Sequence, residues 1–296
     1  MKHLKKTLAD RVFDAFDIAL MIVLLVIFAW PLWFVIIASI SDPDLVVSGK
    51  VLFIPKGIQF GGYEMVFEYK QIWTGYANTI FYTVVGTLCS MILSICLAYP
   101  MSEKTFAPRK FLMAFFMFTM YFGGGLIPSY LIYKNLGILD TRVAMIFPGL
   151  ISVYNCLIMR SYFMNSIPGE LKEAATLDGA NAASYLVKVV LPLSKPVFAV
   201  IGLYYAVAYW NNYTKGLYYI YDRALLPLQN ILRSLLLSAE MMTELMEDPA
   251  LAEQAYAQSQ AMKYGVIIVA ALPMMCLYPF IQKHFVKGVM VGAVKG

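Results

Sequence analysis

The sequence predicts an all-α membrane protein with six transmembrane helices, on three observations. Of 296 residues, 60% are hydrophobic and only 14% are charged, too few charges to coat a soluble globule of that size. The apolar residues collect into six runs free of Asp, Glu, Lys and Arg: residues 18–41, 71–102, 111–133, 143–159, 196–214 and 264–282. Each is about 17 residues or longer, enough at roughly 1.5 Å rise per residue to cross a hydrocarbon core of about 30 Å with some tilt. None alternates apolar and polar at every second position, as barrel strands do.

The first run leads into Trp30-Pro31-Leu32-Trp33. It exceeds the apolar core of about 7 to 15 residues of a cleaved signal peptide, so it is read as a retained span. The second is longer than a bilayer needs. Its helix is expected from near Tyr76 to near Pro100, where proline cannot continue it. The third contains Gly123, Gly124 and Gly125, which weaken a helix and permit either a hinge or cavity wall, or close helix packing. The fourth and fifth flank a polar loop, residues 166–195. Before the sixth lies the largest external loop, about residues 222–262. In it Leu228, Ile231, Leu232, Leu235 and Leu236 repeat at helical spacing behind Pro227, a stripe suited to a membrane surface or to neighbouring helices. Glu240, Glu244, Glu247, Asp248 and Glu253 follow. They form either a docking face for an external protein or simply a solvated one.

Six crossings put both termini on one side. Lys2, Lys5, Lys6 and Arg11 before the first span assign that side to the cytoplasm. The net charge of +5 then reads as an orientation signal rather than a nucleic-acid footprint. Cys89, Cys96, Cys156 and Cys276 fall inside apolar runs with no CxxC pair, and His3 and His284 lie near the chain ends. No metal site or disulfide framework is visible. Along the chain the segments are 1–74 (basic N-terminus, first helix and external loop), 75–285 (the membrane domain) and 286–296 (a cytoplasmic tail).

The loop at 166–195 carries most of the information. Ser166-Ile167-Pro168 suits a helix entry, and Glu170 and Glu173 place negative charge near its positive end. Asp178-Gly179 breaks that helix after about Thr176. A second helix, about residues 181–190, is expected to stop at Pro192. Ala174, Ala175 and Ala180 are small enough for the bent pair to sit inside a partner's groove. The shape suits docking better than catalysis.

Glu173-Ala174-Ala175, three residues, Gly179, nine residues, then Val189, Leu191 and Pro192 resembles the signature of the membrane subunits of binding-protein-dependent ABC importers. The resemblance extends over nearly the whole chain. It is strongest to the carbohydrate branch of maltose-permease type and its complex-oligosaccharide subgroup, through residues 121–128, Trp210-Asn211-Asn212-Tyr213, Pro227-Leu228-Gln229 and the ending at 292–296. It implies a type I ABC importer permease fold with cytoplasmic coupling helices, in which Glu173, Ala174, Ala175, Asp178, Gly179, Ala180, Leu191 and Pro192 dock an ATPase. It also implies that Val294, Lys295 and Gly296 touch the ATPase dimer.

The implied partners are a second permease subunit, two ATPase subunits and an external sugar-binding lipoprotein or periplasmic binding protein, in a bacterial cell membrane. No GxxxxGK[ST] phosphate loop occurs in the chain, so ATP and Mg are assigned to the partner ATPase and no cofactor to this chain. No catalytic residue is assigned. Tyr154, Asn155, Trp210, Asn211, Asn212 and Tyr213 are the candidate pathway-lining residues, combining aromatic faces with amides. Interfacial anchoring and helix-helix hydrogen bonding are their competing roles. The function expected is the permease subunit of a sugar or oligosaccharide importer. The alternatives are an importer of amino acids or peptides, or an ion-coupled secondary carrier, which favours buried carboxylates that the spans lack.

Overall fold

The computed structural model describes residues 7–293, without the side chains at 249–250, 278 and 280–293. Among the described residues every regular element is helical. In chain order they are α1 (Leu8–Ser39), α2 (Pro43–Val47), α3 (Gly61–Glu68), α4 (Gln71–Ser102), α5 (Arg109–Tyr121), α6 (Leu126–Asn135), α7 (Arg142–Ile146), α8 (Val153–Asn165), α9 (Gly169–Leu177), α10 (Ala182–Tyr185), α11 (Leu191–Leu193), α12 (Lys195–Trp210), α13 (Thr214–Tyr219), α14 (Leu228–Glu244) and α15 (Pro249–Ala293). A π-helical turn, Leu186–Val190, joins α10 to α11.

Among the described residues three helices are long and apolar enough to cross a membrane: Leu8–Ser39, Gln71–Ser102 and Leu251–Leu277 within α15. Two bent pairs bring the number to five if each is one span: α5 with α6, at 114°, and Ala182–Leu193 with α12, at 81°. The run 111–133 is therefore not one straight helix. Its break falls on the three glycines, and Gly125 takes φ 85°, ψ 178°, a conformation essentially restricted to glycine. The run 143–159 is not one helix either. Pro148 lacks the N–H a helix needs, Gly149 sits at φ 78°, and the chain re-enters helix only at Val153, capped by Ser152. The second span begins at Gln71 rather than near Tyr76, and Pro100 lies inside its last turn.

Two compact units are present: residues 7–69 with Ser234–Ala271, and Lys70–Arg233 with residues 272–293. In the first, Asp42 caps α2 by accepting from the Asp44 N–H at 2.9 Å. Ile37, Ala38, Val46 and Val51 form its core with Phe34, Leu45 and Tyr264 packed around them. Earlier in α1 the apolar side chains stay uncovered, with Leu25 at 68% and Phe28 at 72% exposure. Continuous exposure of that kind is explained by lipid or a partner helix, not by water.

The second unit is built around α4 packed on α12 and α8. Small residues on α4 admit large rings from α12. A Cβ on Gly86 would lie 2.5 Å from Cζ of Tyr209, Ser90 Oγ is 3.2 Å from the Tyr209 hydroxyl, and Ser94 Oγ is 2.8 Å from that of Tyr205. Nearer its start, α4 secures the segment entering α14. Asn78 donates to the carbonyls of Ala224 and Leu226 at 2.7 and 3.1 Å. Tyr82 donates to that of Leu225 at 2.8 Å, and Thr79 Oγ1 accepts from the Leu228 N–H at 2.8 Å. The expected stripe on α14 is helical, with Leu228, Ile231 and Leu232 buried. The acidic residues from Glu240 to Glu253 named above are all exposed.

Candidate functional site

Two features of the second unit bring predicted residues together: the α9–α10 elbow and a cavity beside α12. The elbow is closed by a pair of backbone bonds characteristic of a left-handed helix stop. Gly179 N–H donates to the Thr176 carbonyl at 3.0 Å and Ala180 N–H to that of Ala175 at 2.9 Å. Gly179 has φ 78° and no atom within 4 Å of where its Cβ would stand. It is required by backbone conformation, not by space inside this chain. Asn181 starts the second arm by accepting from the Ser184 N–H at 2.8 Å.

Glu173, Ala174, Asp178 and Gly179 are exposed, Ala175 and Ala180 are half-buried, and Ala175 packs on the core formed by Tyr99, Phe163, Tyr185 and their neighbours. Lys172 forms an ion pair with Glu103 at the end of α4, a strut between the elbow and a long helix. Leu177, at the tip, is 89% exposed. Sequence reading passed over it, although an aliphatic residue directly before Asp-Gly at a loop apex is a visible oddity.

Two local expectations are corrected. Ser166 does not cap α9. It closes α8, its N–H donating to the Tyr162 carbonyl at 2.9 Å, and Pro168 holds the N-cap position without a side-chain bond. Pro192 does not end the second arm. The wider hydrogen-bond register of the π turn ahead of it accommodates its missing N–H, and the chain turns instead at buried Ser194, between α11 and α12. Leu191 is half-buried and Pro192 exposed.

The cavity has a volume of about 820 Å³. Three of the six candidate pathway residues, Tyr154, Asn155 and Asn212, line it, with Tyr204, Tyr205 and Lys215 beside them. Trp210, Asn211 and Tyr213 do not. The Trp210 ring is buried 6.3 Å from that of Tyr76, Asn211 closes α12, and Tyr213 lies under the Arg233 guanidinium at 5.9 Å. The cavity wall is held by shared hydroxyls. Tyr205 accepts from the Ser152 N–H at 3.1 Å, and Tyr209 donates to the Ile146 carbonyl at 3.1 Å.

Lys215 was missed, although it is the sole cation between Lys195 and Arg223. Its ammonium donates to the Met145 carbonyl at 3.2 Å and stands 4.8 Å from the centre of the Tyr209 ring. Burial lowers its pKa to about 8. Among the described residues no group of His, Cys, Asp and Glu is arranged to hold a metal ion. The positions Val294, Lys295 and Gly296 lie outside the described residues.

A family model described as "Binding-protein-dependent transport system inner membrane component" matches residues 72–291, which span both the elbow and the cavity. The chain belongs to that family. Its membership makes it a membrane transport component whose ATP hydrolysis resides in a separate subunit. The polygalacturonan/rhamnogalacturonan transport system permease protein YtcP of Bacillus subtilis is 38% identical over 287 residues, covering 97% of this chain and 99% of that one. Protein LplC of the same organism is 36% identical, covering 98% and 97%. Among solved structures, a bacterial ABC transporter involved in the import of the acidic polysaccharide alginate contains a chain that superposes with a TM-score of 0.83. That chain is 31% identical, over 95% of this chain and 99% of its own length. The type I permease architecture is thereby shared.

Proposed function

We propose that this chain is one of two membrane-spanning subunits of an ATP-driven oligosaccharide importer, and that the α9–α10 elbow is the piece through which a separate ATPase works it. The observation that carries this reading is the elbow itself. An exposed leucine stands beside a glycine whose left-handed conformation is needed, in a chain matched end to end by transport permeases. An exposed aliphatic tip braced on the core by Ala175 and on α4 by the Lys172–Glu103 pair is built to transmit displacement.

In this reading the membrane is crossed six times, with both termini and the elbow cytoplasmic. Segment 1–74 forms an appended first helix and outer cap, 75–285 forms the moving domain, and the tail 286–296 reaches the ATPase pair through Val294, Lys295 and Gly296. The second permease subunit completes the pathway, and an external binding protein delivers the sugar. ATP and Mg are held by the ATPase subunits. Closure of the ATPase dimer rocks the helices attached to the elbow between inward- and outward-facing arrangements, acting through differential affinity for the two states. The α5–α6 break at Gly123, Gly124 and Gly125 serves as a hinge in that motion. YtcP is named for polygalacturonan and rhamnogalacturonan transport and the solved transporter for import of the acidic polysaccharide alginate, which supports a saccharide substrate.

The test is Gly179→Glu in the complete complex. Sugar uptake into vesicles and copurification of the ATPase are both expected to fall at least tenfold. Uptake at the wild-type rate with the ATPase attached would contradict the proposal.

A further inference from the structure

Resting on the importer reading above, we propose that the Lys215 ammonium receives a carboxylate of the passing saccharide, making this cavity selective for uronate-containing oligosaccharides over neutral ones. The cavity has the parts a sugar site needs. Tyr154, Tyr204 and Tyr205 offer aromatic faces, Asn155 and Asn212 offer amides, and a volume of about 820 Å³ is that of a small-molecule site. It has one cation and no Asp or Glu in its lining.

An ammonium carries three N–H donors. The Met145 carbonyl takes one and the Tyr209 ring faces another, which leaves at least one for the cavity. Neither partner is an anion, and Lys215 has no salt bridge among the described residues. A half-buried cation without a counter-charge is costly to keep. A carboxylate entering beside it supplies the missing charge and a charge-assisted hydrogen bond. The groups that hold Lys215 also fix its direction. Its own N–H donates to Asn212 Oδ1 at 3.1 Å, and its ammonium reaches the Met145 carbonyl of α7 across the cavity wall.

The competing role for Lys215 is a plain cap on the C-terminal turn of α7. The two roles separate in the assembled transporter, reconstituted in liposomes with its ATPase and binding protein. The probes are a galacturonate trisaccharide and its methyl ester, which has the same shape without the charge. Lys215→Met is expected to slow uptake of the acid about tenfold while changing that of the ester less than twofold, with Lys215→Arg recovering most of the acid rate. Equal slowing of both sugars, as loss of a structural cap would produce, or an unchanged acid rate, overturns the inference. If every complex refuses the ester, a neutral galactose trisaccharide replaces it as the uncharged probe: slowing confined to the acid supports a carboxylate contact and equal slowing of both overturns it. A wild-type complex that hydrolyses ATP but moves neither galacturonate nor any other sugar overturns the importer reading and this inference with it. Loss of acid uptake in Lys215→Met alone cannot be mistaken for that outcome.

Discussion

Gly86 on α4 lies directly beneath the ring of Tyr209 on α12, so close that a Cβ at Gly86 would stand 2.5 to 2.7 Å from three ring carbons. The ring cannot retreat. Its hydroxyl is tied to Ser90 and to the Ile146 carbonyl, and the side chain is 5% exposed. One contact thus joins the packing of the two central helices to the wall of the cavity.

Gly86→Ala is accordingly expected to destabilise the protein by about 1–3 kcal/mol, the usual cost of overpacking a close-packed interior. Thermal unfolding in detergent checks this. Tyr209→Phe in the same assay removes only the hydroxyl bonds and is expected to cost about 1 kcal/mol. A Gly86→Ala protein as stable as wild type would refute the close approach.

Gly125 and Gly123 sit two residues apart and are expected to respond differently to alanine. Gly125 is held in a glycine-only conformation, so Gly125→Ala costs about 1–3 kcal/mol through the backbone alone. Gly123 has no positive φ and nothing near its missing Cβ, so Gly123→Ala changes stability by less than about 0.5 kcal/mol. Parallel melting curves decide. Equal effects would mean that the 114° bend between α5 and α6 does not depend on Gly125.

The pH dependence of uptake follows from the Lys215 ammonium, whose pKa burial sets at about 8. The groups facing it are the Tyr209 ring and the Met145 carbonyl. The cation of α7, the element that supplies the Met145 carbonyl, is Arg142, and it points at Phe81, 4.9 Å from its ring centre. Lysine is charged below its pKa, so a carboxylate is held at pH 7 and released as the pH rises through about 8, a bound anion moving the midpoint upward. Galacturonate uptake is expected to decline between about pH 7.5 and 9 in the wild type and to stay flat in Lys215→Arg, with the ester indifferent in both. Initial rates at constant ionic strength measure this, and a flat wild-type profile contradicts it.

The helical membrane class and the two-armed loop were legible because each rests on a local rule. Uncharged runs of bilayer length need no tertiary knowledge, and Asp178-Gly179 between two alanine-rich arms can hardly be anything but a helix stop. The fate of residues 143–159 was also written locally, in Pro148-Gly149, but run length outweighed the turn signal. Pro192 misled in the opposite direction. A proline stops an α-helix only where the backbone cannot widen, and the π turn at Leu186–Val190 allows it to widen. Ser166 could equally cap the helix before it or the one after it, and sequence does not choose between them.

The cavity was half legible for a different reason. Tyr154, Asn155 and Asn212 were identified by residue type, but so were Trp210, Asn211 and Tyr213, which lie elsewhere. What assembles the wall is the pairing of Tyr205 and Tyr209 with Ser94 and Ser90 more than a hundred residues away, and no single-sequence pattern encodes that register. Lys215 carries no local signal, because the Met145 carbonyl that holds its ammonium comes from 70 residues away.

The coupling role of the elbow is tested most directly by a cysteine at its tip. In a complex stripped of Cys89, Cys96, Cys156 and Cys276, a single Leu177→Cys is predicted to cross-link to the ATPase subunit through a short bifunctional maleimide, with a yield that changes when ATP is bound. It is also predicted to resist membrane-impermeant maleimides applied to intact cells. Labelling of that cysteine from outside the cell, or a complex that transports sugar while the tip cross-links to no ATPase, would contradict the account.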